Sequence, residues 1–169
     1  AGPRTQARRQ AGRQEAGKAP AETRQGQGRE EAGRQGAPPM SPIPTLAEAA
    51  RLLRAKKISS VELTREALRR VAALDPALNA FLLVTEKEAL AAARAADKVL
   101  SGQGAARPTP LTGIPIGLKD IYDTAGVRTT AHSRTLEHNI PKEDAETVRR
   151  LKEAGAVSLG KLATHEFAI

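Results

Sequence analysis

The chain has 169 residues, with 27 Lys or Arg against 19 Asp or Glu and a formal net charge of +8. It has no cysteine, which excludes a disulfide framework and a thiolate metal site and suits a reducing cytoplasm, the expected location. Aromatic residues make up only 2 %, so single-stranded nucleic acid finds no stacking platform. No apolar run approaches the ~20 residues that a membrane span needs.

Residues 1–39 contain no Val, Ile, Leu, Phe, Tyr or Trp, and carry eight Arg or Lys against four Glu. Such a segment buries too little apolar surface to offset its ordering entropy, and it is predicted to be a disordered tail. It lacks the apolar stretch of a secretory signal, and its glutamates argue against an organellar transit peptide. Its charge could hold RNA or an anionic surface only weakly and in a salt-sensitive way. Met40 is the only methionine and the chain begins with Ala1. Two readings stay open: translation starts natively at Met40, or the tail is a genuine extension. A globular domain is expected over residues 40–169.

In that domain Thr45 and Glu48 form a T-x-x-E capping box, followed at helical spacing by Leu46, Ala49, Ala50 and Leu53. Ser59 and Glu62 repeat the device, with an apolar face of Leu63, Ala67, Val71 and Leu74, and Asp75-Pro76 is expected to stop the helix. Residues 79–84, NAFLLV, have strand length. Thr85 and Glu88 offer a third box for a helix that ends near Gly102. A strand is expected over Gly113–Leu118, then a turn and extended loop from Asp123 to Ser133. Asp144 is placed to cap a helix closed by Gly155, and AVSLGKLAT reads as a further strand. The order α-α-β-α-β-loop-α-β implies an α/β layer with a mixed or parallel sheet covered by helices. The chain ends directly after HEFAI, where sheet edges are expected to remain uncovered.

The apolar segment Ile114-Pro115-Ile116-Gly117-Leu118 delivers Lys119 to its tip, followed at once by Asp120. A dry environment disfavours the ammonium form, and a neutral lysine is a usable general base. The alternative is an edge lysine that reaches water and pairs with Asp120. His132, His138 and His165 lack the spacing of metal ligands, and no metal or cofactor is expected. His165 and Glu166, if on a strand, would point to opposite faces. None of the six serines lies in a Gly-rich elbow, and no phosphate loop is present. Lys161 is read as structural.

Four segments carry a resemblance. Residues 113–120 have the form G-I-P-x-x-x-K-D and residues 123–130 the form D-T-x-G-x-x-T-T. Residues 145–156 have the form A-x-x-V-x-x-L-x-x-A-G-A, and a G-K…E-F-A segment runs from Gly160 to Ala168. In order and at this spacing, they resemble the amidase signature family, and the likeness extends back to residue 41. The resemblance implies an α/β fold, here its N-terminal part, and hydrolysis of carboxamide C–N bonds by a Ser–cis-Ser–Lys triad. It also implies that Lys119 is the base of that triad. The family's G-G-S-S-G-G loop and its nucleophile lie downstream of the E-F-A segment. An N-terminal fragment, inactive by itself, is therefore expected.

The segments KLATHEFAI and KDIYDTAGVRTTAHS look more like stand-alone amidases than like the glutamine-hydrolysing A subunit of the aminoacyl-tRNA amidotransferase. In that protein NMDEFAMG and KDNI would be expected. The expected partner is a small-molecule amide substrate, with a homodimer admitted and neither a membrane nor nucleic acid expected. A basic nucleic-acid-associated protein is the competing reading from another class, and the evenly mixed charge speaks against it.

Overall fold

The structure is a computed structural model that describes residues 42, 44–103 and 106–169. The expectations for residues 1–39 and for Met40 lie outside the described residues.

Helix α1, Leu46–Arg54, starts where the Thr45 hydroxyl accepts the Glu48 amide at 3.2 Å, and it buries Ala49, Ala50 and Leu53. Helix α2, Ser60–Leu78, opens on a complete capping box. The Glu62 amide donates to Ser59 Oγ at 3.1 Å and the Ser59 amide donates to Glu62 Oε2 at 2.8 Å. Strand β1 is Phe81–Val84 and helix α3 is Glu86–Leu100. Asp97 on α3 accepts the Ser60 and Val61 amides at 2.6 and 3.2 Å, so one helix places a carboxylate on the positive end of another. Strand β2, Pro115–Lys119, helix α4, Glu146–Glu153, and strand β3, Val157–Leu162, complete the regular elements apart from two short 3₁₀ turns.

Small residues on α3, Ala89, Ala93 and Ala96, let α2 and β3 approach closely around Leu68, Val157 and Leu159. A second core joins Ala49, Ala50 and Leu53 of α1 to Ile114. The sheet order is β1-β3-β2, with β1 antiparallel and β2 parallel to β3. The central strand β3 is buried along most of its length, as a strand flanked on both edges and covered by helices must be. Gly160 has φ +145°, and a Cβ there would lie 2.0 Å from the Leu83 carbonyl oxygen. Only glycine lets β1 pass this close to β3.

Three expectations are corrected. Asp75-Pro76 does not stop α2, which continues to Leu78 and ends at Asn79 with φ 49°. The Asn79 amide donates to the Asp75 carbonyl at 2.7 Å, and the Asp75 carboxylate accepts the Ala80 and Phe81 amides, so Asp75 carries the chain from the last turn into β1. Thr85 stands at the cap position of α3 with ψ 61°, but its side chain makes no capping bond, and its amide, which a capping box would offer to Glu88, donates to the Leu159 carbonyl at the end of the β1–β3 pairing. Asp144 is not the cap of α4; its carboxylate accepts the Ala125 amide at 2.8 Å and pairs with Lys152 at 2.6 Å, and Ala145 occupies the cap position. The three expected strands form with shifted ends, β2 at Pro115–Lys119 where Gly113–Leu118 was expected, and Gly102 and Gly155 are left-handed as expected. Among the described residues no helix is long and apolar enough to cross a membrane.

Candidate active site

The end of β2 is fixed by its register with β3. Leu118 pairs with Lys161 and Lys119 with Leu162, and the pairing continues through the Asp120 amide to the Leu162 carbonyl at 3.0 Å. Residues paired across a sheet share a face and successive residues alternate. Leu118, Asp120 and Lys161 therefore lie on one face, and Lys119 and Leu162 on the other.

On the first face Lys161 is only 1 % exposed. Its Nζ donates to the Tyr122 carbonyl at 2.6 Å, to Thr129 Oγ1 at 2.7 Å and to Thr124 Oγ1 at 3.4 Å, and lies 3.6 Å from Asp120 Oδ1. Asp120, equally buried, accepts at Oδ2 from the Thr130 amide at 2.9 Å and the Thr130 hydroxyl at 2.6 Å. Burial holds the Lys161 ammonium below the usual lysine range, and the facing Asp120 and Asp123 oppose that shift. The loop of residues 122–130 is thus gathered around one cation.

On the opposite face Lys119 is exposed, and its side chain makes no hydrogen bond or ion pair with any described residue. It opens on a cleft of about 470 Å³ that it shares with Ala163, Thr164, His165 and Ala168. Two loops meet beside this cleft. The buried Ser133 hydroxyl donates to Glu166 Oε1 at 2.6 Å, His132 Nδ1 meets the Thr164 carbonyl, and the Phe167 amide donates to the Ala131 carbonyl at 2.9 Å. Four non-glycine residues of these loops, Ala131, His132, Phe167 and Ala168, have φ between 49° and 61°. Left-handed backbone at such residues is strained and persists where surrounding bonds over-determine it.

The sequence-predicted lysine stands at the strand end, as expected, and it is exposed among the described residues. The dry lysine is Lys161. Among the described residues β2 pairs with β3 alone, and the face that Lys119 shares with Leu162 borders the cleft. Nor does Lys119 pair with Asp120, whose carboxylate serves the other face. His165 borders the cleft, while His138 meets Glu137 at the surface. His165 and Glu166 stand at the start of a 3₁₀ turn, not on a strand. Among the described residues no group of His, Asp and Glu side chains could hold a metal ion. The Ser133–Glu166 contact and the Lys161 hub were not foreseen. For Lys161 the available signal was its place between Leu159 and Leu162 in an apolar strand.

Residues 62–169 match the family model described as Amidase. The chain belongs to the amidase family. It is 50 % identical over 125 residues to the A subunit of glutamyl-tRNA(Gln) amidotransferase from Geobacter metallireducens, and 52 % identical over 125 residues to its counterpart from Methylococcus capsulatus. Each match takes 74 % of this chain and 25 % of the relative. The peptide amidase of Stenotrophomonas maltophilia superposes with a TM-score of 0.65 at 37 % identity, over 72 % of this chain and 25 % of that one. An amidase family protein of Bacillus anthracis superposes with a TM-score of 0.65 at 32 % identity, over 73 % of this chain and 24 % of that one. The amidase-family chain thus spans about a quarter of the length of these relatives. Its α/β architecture is that of the N-terminal part of the amidase signature fold.

Proposed function

We propose that the protein containing this chain hydrolyses carboxamide C–N bonds, with Lys119 as the general base. In the Ser–cis-Ser–Lys arrangement that the family resemblance implies, the Lys119 amine takes a proton from the cis-serine. That serine takes the proton of the nucleophilic serine, whose oxygen bonds to the amide carbon. The protonated amine or ammonia leaves, and water then releases the acyl group from the serine. These 169 residues hold neither the G-G-S-S-G-G loop nor the later nucleophile, so they supply the base alone and are expected to turn over no amide by themselves.

The observation that carries this reading is the state of Lys119. Among the described residues it is an unpaired amine at the tip of a strand, opening on a cleft, while the adjacent carboxylate is tied up on the other face. The test is ammonia release from a panel of simple carboxamides by the full-length protein. Replacing Lys119 by Ala should lower kcat by about 10²–10⁴-fold, the range supplied by a positioned acid or base. Retention of wild-type turnover in K119A would overturn the assignment.

A second reading is favoured by the curated relatives, which are 46–52 % identical and described as the A subunit of glutamyl-tRNA(Gln) amidotransferase. In it the same chemistry frees ammonia from glutamine for a tRNA-bound acceptor. Turnover of glutamine only with ATP, glutamyl-tRNA and partner proteins present would select this reading over the stand-alone amidase.

A further inference from the structure

We propose that Lys161 is a positioning residue for the base Lys119: a buried clamp that fixes the turn after β2 and keeps Asp120 away from the Lys119 amine. The inference rests on the reading of Lys119 as the base, and it concerns a residue on the opposite face of the sheet.

The turn after β2 is short. The Tyr122 amide donates to the Lys119 carbonyl at 3.1 Å, and the Asp120 amide donates to the Leu162 carbonyl at 3.0 Å. The two bonds hold the backbone on either side of the Lys119 Cα, but neither reaches past Tyr122. Lys161 does. Its Nζ donates to the Tyr122 carbonyl at 2.6 Å, and the Thr124 hydroxyl donates to the same carbonyl at 3.1 Å. Its contact with Thr129 Oγ1 reaches the far limb of the loop, where the Thr129 hydroxyl donates onward to the Val127 carbonyl at 3.1 Å. One ammonium therefore holds both limbs of the loop against β3, and the strand end that bears Lys119 is anchored from behind.

The charge matters as well as the geometry. A carboxylate buried to 1 % exposure requires a compensating partner. Asp120 Oδ2 is satisfied by Thr130, but Oδ1 makes no hydrogen bond among the described residues and faces the Lys161 ammonium at 3.6 Å. Without that cation the nearest candidate in sequence is Lys119 itself. Swinging Asp120 toward the cleft would give the base a permanent anionic partner and displace it.

The test uses the full-length protein, assayed well below its unfolding midpoint and normalised to folded protein. Lys161→Met should lower kcat on a simple carboxamide by about 10–100-fold, the loss expected from an ångström-scale misplacement of a reacting group, with KM changed less than about threefold. Thr129→Val keeps the lysine and the side-chain shape but removes the acceptor. It should lower kcat in the same direction, and Thr129→Ser, which restores the hydroxyl, should recover it. A purely structural Lys161 would lower the unfolding midpoint and leave kcat per folded molecule unchanged in all three variants, which overturns the inference. If Lys161→Met does not fold, the Thr129 pair decides. Full activity in Lys119→Ala would instead sink the underlying reading, so the two failures are distinguishable.

Discussion

The two faces of the β2–β3 pair each carry one lysine, and the two lysines differ in every physical respect. Lys161 is enclosed, donates to three oxygens and faces a buried carboxylate. Lys119 is one strand away, exposed and without a partner among the described residues. Burial and chemical availability are thus separated by one sheet. The enclosed amine has its donors committed to holding a loop, and the open amine makes no hydrogen bond or ion pair with any described residue. A buried titratable group is a candidate for chemistry, yet here the buried lysine is the one whose donors are committed to a loop.

The sharpest way to break this contrast is to remove each lysine in turn and measure stability by urea unfolding. Lys161→Met leaves Asp120 buried without its counter-charge and three oxygens without their donor. Such one-sided removal costs about 3–5 kcal/mol. Lys119→Ala removes an exposed side chain and should stay within about 0.5 kcal/mol of wild type. Equal shifts for the two variants would mean that the two faces are not as different as their geometry indicates.

The sequence made one of these faces legible and left the other hidden, for a physical reason. The apolar run Ile114–Leu118, followed at once by Lys119-Asp120, placed a lysine at a strand tip, and the strand forms there. Which face that lysine would occupy depends on the register with its partner strand, which local periodicity does not encode. The register with β3 puts Lys119 on the face opposite Asp120 and Lys161. The local capping chemistry of Ser59 and Glu62 was fully readable because both partners lie within one turn. Asp75, Thr85 and Asp144 were misread because their backbone or carboxylate groups are claimed by contacts outside their own helix starts. The Lys161 hub joins residues 32 to 39 positions apart, and no short motif announces it.

A smaller effect sharpens the comparison on the open face. A Cβ at Gly117 would come within 2.7 Å of Leu162 Cδ1, on the face that also carries Lys119. Gly117→Ala should force Leu162 aside and destabilise the protein by about 1–3 kcal/mol, the usual range for overpacking. Because the clash falls on side-chain atoms, not on backbone, the loss should remain below that of Lys161→Met in the same urea series. A Gly117→Ala loss larger than the Lys161→Met loss would place the tighter packing on the face described here as open.

The smallest expected effect is the dependence of stability on alkaline pH, and its sign discriminates between two forces on Lys161. Burial lowers the folded-state value of this lysine, and Asp120 and Asp123 act against that. An unfolded lysine titrates near ~10.4. Below the folded value both states hold the proton, and the penalty for burying the ammonium is fully present. Between the two values the unfolded state binds more protons, so stability rises with pH. Wild type should therefore gain stability relative to Lys161→Met as pH is raised through the alkaline range toward that of a free lysine. The difference between the two proteins removes the contribution of every other titrating group that behaves alike in both. If the difference falls instead, attraction to Asp120 outweighs burial. Lys161 would then be held chiefly by its ion pair, and the dry character of its face would have to be assigned to the apolar strand alone.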